Sequence, residues 1–176
     1  DTTERHEGMV AAIAFESLVK LAAFLCVGVF VVYGLFGGLG DIFSQARARP
    51  ELADLLHAEQ GGAYSWARWM GLMVLALGAA LVLPRQFQVM VVENVHEDHV
   101  RRASWMFPLY LLLINLFVLP IALGGLLYFS GGEHNPEHFV LSLPMAAGQN
   151  ALALFVFIGG LSAATGMVIV ETVAVS

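Results

Sequence analysis

The sequence predicts an all-α, polytopic transmembrane helix bundle, and three observations carry that prediction. Of 176 residues, 59% are hydrophobic and only 12% are charged, against about 25% charge in a soluble domain. The charges are also clustered. No Asp, Glu, Lys, Arg or His interrupts Leu21–Gly40, Ala103–Gly132 or Phe139–Val170, and Arg68 alone breaks Gly61–Pro84. Finally, each block reaches the roughly 20 mainly apolar residues that a spanning helix needs. The longest blocks exceed that need, so they are expected to hold interfacial or re-entrant turns as well.

Taken in order, the first helix is expected over about Met9 to Gly37, stopping at the Gly37-Gly38 pair. A connector, Asp41 to Gly62, follows. In it Pro50 stands at a first-turn position before Glu51 and the apolar pattern Leu52-Ala53-Asp54-Leu55-Leu56, which predicts a short surface helix. The second spanning helix covers about Tyr64 to Leu83, with Trp66 and Trp69 where an interfacial aromatic belt belongs. Pro84 to Ser104 reads as a polar connector. The third helix runs from about Trp105 to Phe129 and carries Pro108 and Pro120. A further connector, Ser130 to Gly148, leads into the fourth helix, about Gln149 to Ser176.

Composition excludes several functions. The net charge of -6 comes from acids lying mostly in the connectors, and there is no basic tract for nucleic acid. Cys26 is the single cysteine, so the chain forms no internal disulfide. Asp1 opens a polar stretch and the first apolar block is long, so a signal peptide is not expected. The ends, Asp1 and Ser176, both read as cut, which predicts a piece of a longer membrane protein. Basic residues near the helix ends set orientation. Arg5, Arg85, Arg101 and Arg102 lie on one side, and Arg47, Arg49 and Arg68 on the other. That bias places the N-terminus and the Pro84–Ser104 connector in the cytoplasm.

Glu16 and Lys20 are the strongest chemical signal. They stand four residues apart with the glutamate first, the favourable order for a helical ion pair. At 1.5 Å per residue, Lys20 lies about 16 Å in from Met9. Ionisable groups at that depth are costly, so they face a bundle interior and pair. The functional reading is an ion path or gate; the alternative is a structural pair tying helices together. In the fourth helix, Ser162 and Thr165 share a face, and Gly159, Gly160 and Gly166 thin the helix around them. Such a face serves close helix packing or leaves room for an ion or substrate. Gly71 and Gly78 in the second helix, with Asn115 and Pro120 in the third, match the interrupted helices of secondary transporters, although kinks occur in any bundle.

His96-Glu97-Asp98-His99 looks at first like a metal site. The histidines are spaced i, i+3, whereas a zinc-protease helix needs i, i+4 and a third ligand. His134 and His138 have the right spacing, but Pro136 between them disfavours a helix. A solvated connector is the expected reading, with no metal.

Three stretches carry a family resemblance: DTTERHEGMVAAIAFESLVKL, PRQFQVMVVENVHEDHVRRASWMFPLYLLLIN and GLSAATGMVIVETVAVS. Together they resemble the sodium/solute symporter superfamily, with its LeuT-type inverted-repeat fold, and more closely its branch fused to bacterial hybrid sensor histidine kinases. The resemblance implies that the four helices are core helices of that fold. It also implies a multi-pass protein of the bacterial cytoplasmic membrane, with the Pro84–Ser104 connector inside. Pro84, Gln86 and Phe87 match the family's stretch after the second helix, while the family's arginine position falls at Met90 or Val91. The family's sodium site uses adjacent hydroxyls, but here Ser162 is followed by Ala163, with Thr165 as the substitute. Na+ or H+ coupling therefore both stand as expectations.

The expected function is a transporter-like input domain of a sensor histidine kinase. Its partners would be the lipid bilayer, a small polar solute such as an amino acid, and cytoplasmic kinase domains of the same chain. The fragment itself is expected not to be an enzyme. A plain ion-coupled symporter is the alternative.

Overall fold

Inside a bilayer the backbone must satisfy its own hydrogen bonds, and a helix does so within one segment. Every regular element of the structure, a computed structural model, is helical among its described residues, which are 7–53, 66–82, 94, 96–129 and 135–175. Among the described residues, three helices are long and apolar enough to cross a membrane: Val10–Leu35, Asp98–Tyr128 and Asn150–Thr172. The second expected span is helical over its described residues, Trp66–Val82.

The first span is α1 (Glu7–Val29), which continues as a π-helical stretch over Phe30–Leu35. The Phe36 amide donates to the Val31 carbonyl, five residues back, at 3.2 Å. The wider turn ends the helix just before Gly37-Gly38, as expected.

The connector that follows holds more structure than its composition promises. Gly38, at φ +124°, turns the chain into α2 (Leu39–Ala48). Asp41 then accepts the Gly37 amide at 3.0 Å and the Gln45 side-chain amide at 2.9 Å. These bonds fix the first turn of α2 and hold the Asp41 carboxyl below its ordinary 3.8, the Gln45 bond contributing most and the Gly37 bond next. Arg49 is extended, as a residue before proline prefers, and Pro50 opens the short α3 (Pro50–Ala53). The expected surface helix thus begins where predicted; the rest of its pattern lies outside the described residues.

The next helix, α4 (Trp66–Val82), shows solvent on all sides, with Trp66 to Gly78 exposed throughout. Beyond it, α5 (Glu97–Leu116) corrects the expected connector, because the helix starts eight residues before Trp105. His96 is extended and stands at the N-cap position without a side-chain hydrogen bond, and Asp98 lies in the first turn, where an acid complements the helix dipole. The charged stretch EDHVRRAS is therefore a helical extension of the span rather than a loop.

A second correction concerns Pro120. The third span is interrupted at Phe117 (φ -102°, ψ -2°) and resumes as α6 (Val118–Tyr128). Pro120 has no amide to give the Leu116 carbonyl and its ring crowds it, so the chain turns and restarts. Asn115 donates to the Leu111 carbonyl at 2.7 Å just before the break. Pro108, by contrast, sits inside α5 without ending it.

The long block after Phe139 is also two helices. Asn135 accepts the Glu137 amide at 3.1 Å and starts a 3-10 turn, Pro136–His138, which runs into α7 (Phe139–Ala146). Gly148, at φ +72°, ends α7 with paired bonds from Gly148 to Met145 (3.0 Å) and from Gln149 to Pro144 (2.8 Å). This is a Schellman closure. The last span, α8 (Asn150–Val175), follows it.

The packed core lies at one end of the bundle. Val27, Val31 and Val32 of the first span meet Ile42 and Ala46 of α2, Leu123 and Leu127 of α6, and Phe139 and Leu143 of α7. Ile42 and Ala46 are one helical turn apart, so α2 covers this end with a single apolar face. Phe129 and Phe139 stack there at 5.7 Å. The break in the third span is docked on α1, where the Phe117 ring fills the space beside Gly28 that a side chain would occupy.

Candidate functional site

The site follows from how α1 and α8 cross. Gly159 of α8 faces Ala23 of α1, and a Cβ on the glycine would lie 3.1 Å from that of Ala23. Seven residues on, Gly166 faces Glu16, seven residues back on α1. The helices therefore run antiparallel, and glycine lets them approach closely at both points. At the second point the missing Cβ makes room for a carboxylate. The Glu16 side chain lies directly against Gly166, in the place any other residue's side chain would take.

Next to this contact a cleft of about 340 Å³ opens between α1, α5 and α8. Glu16, Ser17 and Lys20 line one wall, Phe107 and Tyr110 of α5 a second, and Gly166, Met167 and Val170 of α8 the third. Glu16 and Lys20 are half-buried, and no polar or charged side chain is fully buried among the described residues. The Ser17 hydroxyl donates to the Ile13 carbonyl at 2.9 Å. The Tyr110 hydroxyl reaches the Ser17 carbonyl only at 3.5 Å, a long contact that holds it weakly.

The expected ion pair does not form. Glu16 and Lys20 share the cleft, yet among the described residues no contact within 4.0 Å joins their charged atoms. The Glu16 side chain lies instead against Gly166 of α8.

The two hydroxyls singled out in the sequence are placed elsewhere. Neither Ser162 nor Thr165 lines the cleft; their neighbours Ala163 and Gly166 do. Thr165 is exposed and donates to the Leu161 carbonyl at 2.9 Å. The cleft therefore does not bring this pair together with Glu16 and Lys20. Pro84, Gln86 and Phe87 lie outside the described residues, as does His134. The rings of His96 and His99 meet edge to face at 5.6 Å, and no group of three metal-ligating side chains occurs among the described residues.

The residues that sequence reasoning missed are Ser17, Phe107 and Tyr110. Tyr110 carried a signal of sorts, as the one tyrosine in the first half of the third span, but its partner α1 is far away in sequence. Compared with known proteins, the chain has no match among family models, curated proteins or solved structures.

Proposed function

We propose that this chain is the transporter-like transmembrane input unit of a bacterial sensor histidine kinase, which binds a small zwitterionic nutrient of the amino-acid type. The observation that carries this reading is the open Glu16–Lys20 pair. Two opposite charges on one face of a membrane-length helix would ordinarily neutralise each other. Held apart in a cleft, they offer a carboxylate to a solute's ammonium group and an ammonium to its carboxylate. Phe107, Met167 and Val170 supply an apolar wall for the rest of the solute. The volume, about 340 Å³, lies in the range of small-molecule pockets.

The interrupted third span supports the transporter-like reading, since broken helices are the device by which such proteins build sites within the membrane. Ligand affinity that differs between two bundle shapes would shift their populations, and a cytoplasmic kinase would read the shift. The membrane is then the bacterial cytoplasmic membrane, with the helical extension at Glu97–Ser104 on its inner side.

Equilibrium binding of each of the twenty L-amino acids to the protein in lipid nanodiscs tests the proposal. Binding of at least one, weakened more than about tenfold by Glu16→Gln, is expected; tenfold corresponds to about 1.4 kcal/mol. No binding of any amino acid would overturn the solute class. The relay to a kinase is tested by the reading frame: dimerisation-helix and ATP-binding motifs downstream support it, and a frame closing without them refutes it.

A further inference from the structure

The open charge pair has a specific structural cause. A glutamate four residues before a lysine normally closes onto it along the helix face. Here the Glu16 carboxylate rests instead against Gly166, and both charged side chains line the cleft without joining. We propose that Gly166 is a positioning residue for the cleft: its missing side chain parks Glu16 on α8 and leaves the Lys20 ammonium free to meet an anionic group of the solute. The role given to the cleft rests on the solute-binding reading above.

The geometry says what a side chain at position 166 would do. A methyl group there collides with the end of a flexible side chain, while the helix crossing is also held one heptad away by the apolar Gly159–Ala23 contact. Gly166→Ala therefore moves the carboxylate rather than the helix. The opposite charge one turn along the same face is Lys20, so the displaced Glu16 closes onto it. The cleft then loses both charges to each other. One added carbon atom converts an open site into a self-paired one.

Lys20 provides the reporter, being the sole lysine of the 176 residues. Reductive 13C-methylation of the protein in nanodiscs gives a dimethyl-lysine resonance, identified by its loss in Lys20→Arg. Glu16→Gln is expected to leave this resonance in place, because the carboxylate is not on Lys20. Gly166→Ala is expected to shift it, and adding Glu16→Gln to Gly166→Ala to return it. Gly166→Ala combined with Glu16→Asp, whose shorter side chain clears the methyl, returns it as well, a rescue that a purely packing glycine would not show. A resonance moved by Glu16→Gln alone overturns the proposal, as does one unmoved by Gly166→Ala. A Gly166→Ala protein that fails to fold also overturns it, since the glycine would then serve packing. None of these readings needs a solute, so a negative result here leaves amino-acid binding standing, and failed amino-acid binding leaves the positioning result intact.

Discussion

The two ends of the first span, Val10–Leu35, face opposite demands. Around Val27, Val31 and Val32 it is sealed by α2, α6 and α7, with Ile42 and Leu143 wholly removed from solvent. Around Glu16 and Lys20, among the described residues, α5 and α8 lie beside it with a cleft between them. One end uses short amphipathic helices to cover apolar surface, and the other leaves charge uncovered. On the proposed reading this separates stability from function along one helix: substitutions at the sealed end are expected to act on folding, and those at the open end on solute binding.

That division can be broken by experiment. The largest effect is expected at the sealed end, where Ile42→Ala removes a fully buried side chain and costs about 2–5 kcal/mol. Thermal unfolding in detergent measures it, with Lys20→Met expected to cost no stability; equal losses at both positions would erase the contrast. Next comes the helix crossing. Gly159→Val drives a side chain into Ala23, already 3.1 Å from an added Cβ, and overpacking of this kind costs about 1–3 kcal/mol. A spin-label distance between α1 and α8 is expected to lengthen.

Smaller effects belong to the turns. Gly148→Ala forces a side chain into the left-handed region at φ +72° and costs about 1–2 kcal/mol, read as a lowered unfolding temperature with the cleft unchanged. The smallest lies at Asp41. Its carboxyl is held below 3.8 by Gln45 and Gly37, so its contribution is present above that pH and is lost as pH falls through the lower native value. Exchange of the Gly37 amide is expected to speed up only in that acid window, and Asp41→Asn to remove the dependence.

The sequence made the apolar architecture legible because clustered charges mark the limits of spanning helices directly. The helical end of the first span, at Leu35, and the start of α8, at Asn150, lie within two residues of the limits read from the sequence, and Glu16 with Lys20 line one cleft as their spacing requires. Breaks inside apolar blocks were less visible. Pro108 and Pro120 look alike in sequence, yet only the second interrupts its helix, at the point where Phe117 docks on Gly28. The turn at Gly148 was hidden because α7 and α8 are equally apolar. The charged segment at Glu97–Ser104 reads as a loop in the sequence because polarity marks leaving the membrane, not leaving the helix. Ser162 and Thr165 share a face, as their spacing required, but spacing within one helix does not say which neighbour that face meets. Glycine at 166 read only as a thin place in α8. Its consequence, keeping a glutamate off a lysine, needed two helices in view.

The central claim is that the open Glu16–Lys20 pair handles a solute. Binding of labelled amino acids to the protein in proteoliposomes, compared between Glu16→Ala, His96→Ala and the unmodified protein, tests it most directly. The account predicts that Glu16→Ala weakens binding more than about tenfold, over 1.4 kcal/mol, while His96→Ala, at the exposed start of α5, leaves it near that of the unmodified protein. Undiminished binding in Glu16→Ala, or an equal loss in both variants, would contradict it.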